Sequence, residues 1–288
     1  MLLSSATVAV LRDSGGFRIQ RRGDVEFGWF VDNQSTSQTF SLPRSDEIET
    51  MPNTADPFFE PYDRDDIAYG AVPSSAVQAF LDQVGGTGPA LDLGAGAGRD
   101  TIALANAGYD VTAVDLSQRG LERVSQRAAV AEVAHRVQTC VADVREVEMP
   151  ASKYAAIVAT TVLDHIPPND AIEVWKRMTG ALSESGFLFV EVHTTEDPGS
   201  DQLPGRASQA PVSETASEVI NYFAPNQLAR WAVEPRAQLR ILRYEERLEW
   251  DYTHGSEHLH GKAILLAVRQ GNHPDWYGQP PAFPRHRS

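Results

Sequence analysis

The sequence predicts an α/β fold: a seven-stranded, mostly parallel sheet with an antiparallel C-terminal hairpin strand and helices on both faces. Three observations predict it. Short β-rich runs alternate with runs of helical spacing through the middle of the chain, the pattern of parallel strands joined by crossover helices. The glycine-rich stretch Gly94-Ala-Gly-Ala-Gly98 sits where a strand gives way to a helix. Near the end, two long strand-like runs are separated by a turn alone, and strands so joined must be antiparallel.

The elements follow in order. Val25, Phe27, Trp29 and Val31 alternate with polar residues, as in a half-buried strand, and Phe40 with Leu42 could be its partner across the polar turn 32–38. Residues 1–55 therefore read as an extension holding a small hairpin plus linker, with a loosely ordered segment as the other reading. Phe58, Phe59, Tyr62 and Tyr69 cluster among Asp and Arg. Ser74 or Ser75 then caps a helix through Val77, Phe80, Leu81 and Val84. Strands are expected over 90–93, 110–114, 137–141, 155–160 and 187–192, and helices over 101–107, 118–133 and 170–181. Residues 194–216, rich in Ser, Gly, Pro and acids, follow a strand at its carboxyl end, where a long loop commonly serves as a lid. A short helix is expected within 221–233 and the antiparallel pair over 238–250 and 262–269. Residues 56–270 form the main domain, and 271–288 a Pro-rich polar tail.

Composition narrows the function. The chain has 288 residues and a net charge of −14, which argues against a nucleic-acid partner, since phosphate neutralisation needs a basic face. One cysteine, Cys140, excludes an intrachain disulfide and points to a cytoplasmic setting; its Val-rich surroundings suit a buried thiol. No apolar run approaches the roughly 20 residues of a membrane span. Residues 1–11 lack the basic start and apolar core of a signal peptide.

The chemistry gathers at the glycine turn. A strand–turn–helix of this kind ordinarily holds a dinucleotide pyrophosphate at a helix N-terminus. Here the spacing is Gly-x-Gly-x-Gly, and Asp92 stands just before it, where its charge would repel a pyrophosphate and attract an ammonium. Asp115 ends the next strand, the place where an acid takes two ribose hydroxyls. Ribose is implied and phosphate is not, which fits S-adenosylmethionine. An NAD-binding oxidoreductase and a non-catalytic nucleoside-binding protein remain as readings of another class.

The run Leu91-Asp-Leu-Gly-x-Gly-x-Gly-Arg-Asp-x-x-x-Leu104-Ala-x-x-Gly108-Tyr-Asp-Val-x-Ala-Val-Asp115 resembles class I S-adenosylmethionine-dependent methyltransferases, and within them most the tellurite-resistance branch. The resemblance covers about residues 60–269 and implies a Rossmann-like sheet, methyl transfer and S-adenosyl-L-methionine as cofactor. It implies cofactor contacts from Asp92, Gly94, Gly96, Gly98, Arg99, Asp115, Leu116, Asp143, Val144 and Thr160, with Asp143 on the adenine amino group. Arg99 could pair with an acidic neighbour or with the cofactor carboxylate. The segment ahead of the glycines would cover the pocket, which makes Tyr62, Arg64 and Tyr69 candidates.

Four histidines are candidates for the reacting face. The fourth strand of the parallel set ends in Thr160-Thr-Val-Leu-Asp-His-Ile-Pro-Pro168; the resemblance implies that this strand end lies beside the transferable methyl group, so that Asp164 and His165 would face the reaction or the cofactor edge, and His193 ends the fifth strand. The turn 252–261 carries His254, His258 and His260; in an alternating strand His258 and His260 share a side. They could orient an oxyanion, take a proton, or bind a metal with His193 or His254, although no supporting second layer of ligands is visible in the sequence, and no metal is expected. A soft nucleophile (thiol, selenium or tellurium species) would need little help, whereas an O- or N-acceptor would need a base such as His165 or His258. The expected acceptor is a small molecule. The extension is a candidate homodimer contact.

Overall fold

The computed structural model describes residues 9–13, 16–20 and 25–28 by their backbone, and residues 70, 72–200, 211–213, 215–253 and 255–274 in full. The chain divides into two compact units, Met1–Asn53 and Thr54–Ser288. In the first, strands β1 (Ala9–Asp13), β2 (Gly16–Gln20) and β3 (Val25–Gly28) form an antiparallel meander. The alternation from Val25 is a strand as expected, but it pairs with the strand before it. Phe40 and Leu42 lie outside the described residues, as do Phe58, Phe59, Tyr62, Arg64 and Tyr69.

The second unit is built on seven strands: β4 (Gly88–Leu93), β5 (Tyr109–Asp115), β6 (Val137–Val141), β7 (Tyr154–Thr160), β8 (Leu182–His193), β9 (Leu239–Asp251) and β10 (His258–Arg269). Their spatial order is β6-β5-β4-β7-β8-β10-β9. β4 to β8 run parallel, and β10 is antiparallel to both β8 and β9. This is the mixed sheet the sequence predicts. Helices α1 (Ser75–Val84), α2 (Arg99–Ala107), α3 (Gln118–Val130), α4 (Pro168–Ala181) and α5 (Gln227–Val233) surround it. Ser74 holds the N-cap position of α1, yet its hydroxyl makes no cap bond. No described helix is long and apolar enough to cross a membrane.

Side-chain parity explains why the strands read as continuous apolar runs. In a sheet covered on both sides, successive residues feed opposite cores. Leu91, Leu93, Ile157, Leu188, Val190 and Leu265 pack on one face with Trp175 and Met178 of α4 and with Phe223. Ala90, Val111, Val158, Phe187, Phe189 and Ile264 pack on the other with Val77, Phe80 and Leu81 of α1 and Leu104 of α2. Phe187 is the hub of this second core, its ring 4.6 Å from Phe80 and 6.0 Å from Tyr109.

Phe187→Ala leaves a hole that backbone strands on three sides cannot close, so it should cost about 3–5 kcal/mol of stability. Urea denaturation measures this directly. A loss below about 1 kcal/mol would mean that α1 collapses into the space.

Candidate functional site

The chain leaves β4 toward β5 on one side of the sheet, while β7 lies on the other side of β4. A crevice opens at such a switch point, outside the carboxyl ends of the strands. In this structure it is a cleft of about 540 Å³.

The glycine turn forms its floor. Gly94 has φ +67°, and a Cβ there would come within 2.4 Å of Val162 Cγ2, so neither the backbone conformation nor the space tolerates a side chain. The turn is tied to its neighbour by the acid that ends β5. Asp115 Oδ2 accepts from the Gly96 N–H at 2.8 Å, and Oδ1 from the Ser117 N–H at 2.7 Å. The Ser117 hydroxyl then caps α3 through the Gly120 N–H at 3.0 Å. Burial raises the Asp115 carboxyl, against the lowering pull of these backbone donors.

Asp92 lies deeper, 2% exposed, and accepts a 2.5 Å hydrogen bond from the Thr101 hydroxyl. Burial, reinforced by the neighbouring charge of Asp100, pushes its carboxyl up to about 8. Asp100 itself links three elements, accepting from the Ser74 N–H and the Thr160 hydroxyl at 3.0 Å each. Arg99 stands 3.6 Å from Asp100, which answers which partner it takes within the chain. On the far side, Asp143 accepts from the Arg145 N–H at 2.8 Å and pairs with its guanidinium. The Arg145 bond, ahead of a modest opposing burial effect, holds that carboxyl below its usual range.

The other end of the cleft is a run of histidines supported by acids. Asp164, 0% exposed, accepts from His193 twice: from the main-chain N–H at 3.0 Å and from ring Nδ1 at 2.5 Å. Burial would raise Asp164, but the facing His165 and His193 hold it low. His260 places Nδ1 3.0 Å from Asp197 Oδ2, which also accepts from the Gly261 N–H at 3.0 Å. The His193 and His260 rings are 4.6 Å apart, and His165 is 6.0 Å from His193 with its Nδ1 on the Glu218 carbonyl. Burial pushes His260 down, against the pull of Asp197. Below them Lys262 reaches Glu191 at 3.1 Å and Glu249 at 3.6 Å.

Asp92, Gly94, Gly96, Arg99, Asp115, Leu116, Asp143, Val144, Thr160, His165, His193 and His260 all border the cleft. Three expected positions do not. Gly98 faces Val124 of α3, and a Cβ there would come within 2.9 Å of it, so its φ of +83° serves helix packing. Asp164 lies beneath His193. His258 is buried behind His260, its Nε2 3.0 Å from His260 Nε2. Tyr69 and His254 lie outside the described residues, although Gly70 does border the cleft.

Sequence reasoning missed Asp100, Thr161, Asp197, Asp251 and Lys262, all of which line it. Thr161 carried one signal: it directly follows a strand end, and it adopts φ +52°, a strained conformation for a β-branched residue. Of the loop 194–216 expected as a lid, Asp197, Ser213, Thr215 and Ala216 line the cleft. The chain beyond it is anchored, the Ile220 and Asn221 N–H groups both donating to the Asp164 carbonyl at 3.0 Å.

The raised Asp92 carboxyl fixes a pH dependence. The folded group takes up its proton near pH 8, far above the unfolded value of about 4, so its stabilising share is present in acid and lost as pH rises through about 8. Asp92→Asn keeps an acceptor for Thr101 and removes the charge. Thermal melts of ligand-free protein should show the variant gaining over the parent as pH climbs toward about 8, then levelling. A gap that does not change with pH would show that the buried charge is not its source.

Residues 90–186 match the family described as a methyltransferase domain. The chain is similar to YqeM of Bacillus subtilis (strain 168), whose own methyltransferase assignment is provisional, with 30% identity over 110 residues, 38% of this chain and 43% of the relative. The chain thus spans under half the length of that relative. Among solved structures it is similar to TehB from Haemophilus influenzae (TM-score 0.54, 19% identity, 69% of this chain and 63% of that one). It is also similar to a SAM-dependent methyltransferase of Methanosarcina mazei (TM-score 0.51, 14% identity, 67% and 97%). At these identities the two structures speak for the fold alone. Residues 90–186 thus match a methyltransferase domain, and the sheet that holds them has the fold of TehB and of the Methanosarcina mazei methyltransferase.

Proposed function

We propose that the protein transfers a methyl group from S-adenosylmethionine to a small-molecule acceptor whose nucleophilic atom must first lose a proton. The observation that carries this reading is that one cleft joins the glycine–aspartate cradle to the buried Asp164–His193 pair. Bound there, the cofactor supplies a methyl carbon made electrophilic by its positive sulfur. The residues present fit it: bare backbone at Gly94 and Gly96, Asp115 for the ribose hydroxyls, Asp92 for the ammonium, Asp143 for the adenine amino group, and Leu116 with Val144 for the base faces. A cationic ligand restores the charge that burial withholds from Asp92. Tyr69 would join this set from the covering segment.

His193 is the base this geometry favours. Its Nδ1–H points at Asp164, which fixes the tautomer and leaves Nε2 as the accepting nitrogen. A positioned base is worth about 10²–10⁴ in rate, and His165 is the second candidate at the same mouth. Charge narrows the acceptor. Asp100, Asp115, Asp143, Asp197 and Asp251 line the cleft against Arg99, Arg145 and Lys262. That field opposes an anion, so a neutral or cationic thiol, hydroxyl or amine suits the site better than a selenium or tellurium oxyanion. Nothing in the described residues supports the dimer contact expected of the extension.

Asp115→Ala should weaken S-adenosylhomocysteine binding by tenfold or more, about 1.4 kcal/mol, through loss of a charge-assisted hydrogen bond. Calorimetry reporting unchanged affinity would remove the ribose from that position. For the reaction itself, methyl-labelled cofactor is offered with a panel of thiols, phenols, amines and selenite. Label should pass to a protic acceptor, and His193→Ala should lower kcat about 10²-fold or more while cofactor affinity stays within about twofold. Label passing to selenite alone, at equal rates in parent and variant, would rule out the base-assisted reading.

A further inference from the structure

The pair His258–His260 is built in a way that methyl transfer does not explain. His258 places Nδ1 2.6 Å from the Ser256 carbonyl. A carbonyl oxygen only accepts, so the ring proton sits on Nδ1 and Nε2 carries a lone pair. His260 places Nδ1 on the Asp197 carboxylate, again an acceptor, so in the neutral ring Nε2 also carries a lone pair. These two nitrogens face each other at 3.0 Å, buried, with His258 1% and His260 6% exposed. A contact of that length suits either a proton or a metal ion held between the two nitrogens.

A third donor meets them. Asp251 sits directly opposite His258 in the β9–β10 register and so shares its side of the sheet. Its Oδ1 is held by the Thr253 N–H and hydroxyl at 2.6 and 2.7 Å, which turns Oδ2 toward His260 Nε2, 3.9 Å away. One ligand atom from each of Asp251, His258 and His260 lies within 4.8 Å of the others.

We propose that Asp251, His258 and His260 form a binding site for a first-row divalent transition-metal ion on the wall of the methyl-transfer cleft. The spacing suits it: two nitrogens on one ion at metal–nitrogen distances near 2.0–2.1 Å stand about 2.9–3.4 Å apart, according to coordination geometry. The layer behind the ligands is complete. Each histidine donates its other ring nitrogen to a carbonyl or carboxylate, and the ligating carboxylate is itself hydrogen-bonded, the support that metal-binding side chains ordinarily have. Two imidazoles and one carboxylate select zinc, iron(II), cobalt(II) or nickel(II) over magnesium and calcium. Asp251 and His260 border the cleft while His258 closes the site from behind, so the remaining coordination positions open toward the acceptor. There the ion would hold the oxygen, nitrogen or sulfur that is to be methylated. That role rests on the methyl-transfer reading; the binding does not.

The full chain, stripped with a chelator, is titrated with Zn²⁺ by calorimetry and with Co²⁺ by visible absorption, in the absence of cofactor. One ion should bind per chain, with Co²⁺ giving the ligand-field bands of nitrogen coordination. His258→Ala and Asp251→Asn should each weaken Zn²⁺ by about a hundredfold or more, and Asp197→Asn, behind the site, by about 10–100-fold. Circular dichroism and S-adenosylhomocysteine affinity establish that each variant is folded; should His258→Ala fail to fold, Asp251→Asn decides. Binding weaker than about 10 μM in the parent, or equal binding in parent and Asp251→Asn, would overturn the proposal. That result would leave a proton shared between the two rings. Because the readout is the ion alone, a negative result here leaves methyl transfer standing, and an inactive cradle leaves the metal site standing.

Discussion

Asp115 is the constraint on which the cleft depends. One carboxylate fixes two turns at once, holding the Gly96 N–H with one oxygen and the Ser117 N–H with the other. The first turn joins β4 to α2 and the second joins β5 to α3, so the two crossover units cannot shift independently at their carboxyl ends. Each oxygen keeps accepting capacity beyond its backbone bond, which is what a ribose diol would use. The same group therefore shapes the floor of the site and faces its ligand. The Ala95 N–H on the Val114 carbonyl at 3.0 Å continues the β4–β5 pairing into the turn and adds stiffness where a ligand would press.

The second determinant is the reversal of β10. Among parallel strands only carboxyl ends reach the cleft, so β4, β5, β7 and β8 each offer what lies at their last residues. An antiparallel strand offers its beginning instead. Lys262 pairs in register with His193, so His260 and His258 continue past the end of β8 at the rim. β9, parallel again, brings Asp251 to the same edge. Three neighbouring strands thus present a single polar band, from Glu191 and His193 through Lys262 and His260 to Asp251. Each is on the face that, lower in the sheet, carries the core of Phe187, Phe189 and Ile264. This band is affordable because its charges are paired or hydrogen-bonded; unpaired, any one of them would cost several kcal/mol.

Much of this was legible in the residues. Strands buried on both faces announce themselves by apolar runs, and Gly94 and Gly96 announce a ligand because nothing else needs so bare a turn. What could not be read is what depends on depth and on distant pairing. Gly98 looks like its fellow glycines in sequence, yet α3 crosses it, and only the packing of Val124 reveals why it is glycine. His258 and His260 are equivalent by periodicity. His260 borders the cleft while His258 is buried behind it, a difference that alternation alone does not show. Asp197 lies 63 residues from His260 in the chain, and no local pattern links them. Asp164 is expected from the sequence to face the reaction; it lies past the end of β7 and is buried, with its backbone carbonyl accepting from Ile220 and Asn221 and its carboxylate from His193.

The electrostatics of the cleft point one way from both of its ends. At the cradle, Asp92 is held back from ionising by burial and by Asp100, a state that a cationic ligand relieves. At the rim, His258 and His260 bring their Nε2 atoms to 3.0 Å beside Asp251, an arrangement that the proposed second cation would suit. Neither arrangement is what a stable ligand-free fold would select, since replacing either with apolar side chains of like volume would be neutral or favourable. Binding energy that a ligand recovers by relieving such strain is unavailable to a neutral or anionic competitor, so the same charges that destabilise the empty cleft discriminate among its occupants. With the proposed methyl donor held at the cradle and the proposed ion at the rim, a nucleophile bound between them would be drawn toward both and would stand within reach of His193, which borders the same cleft.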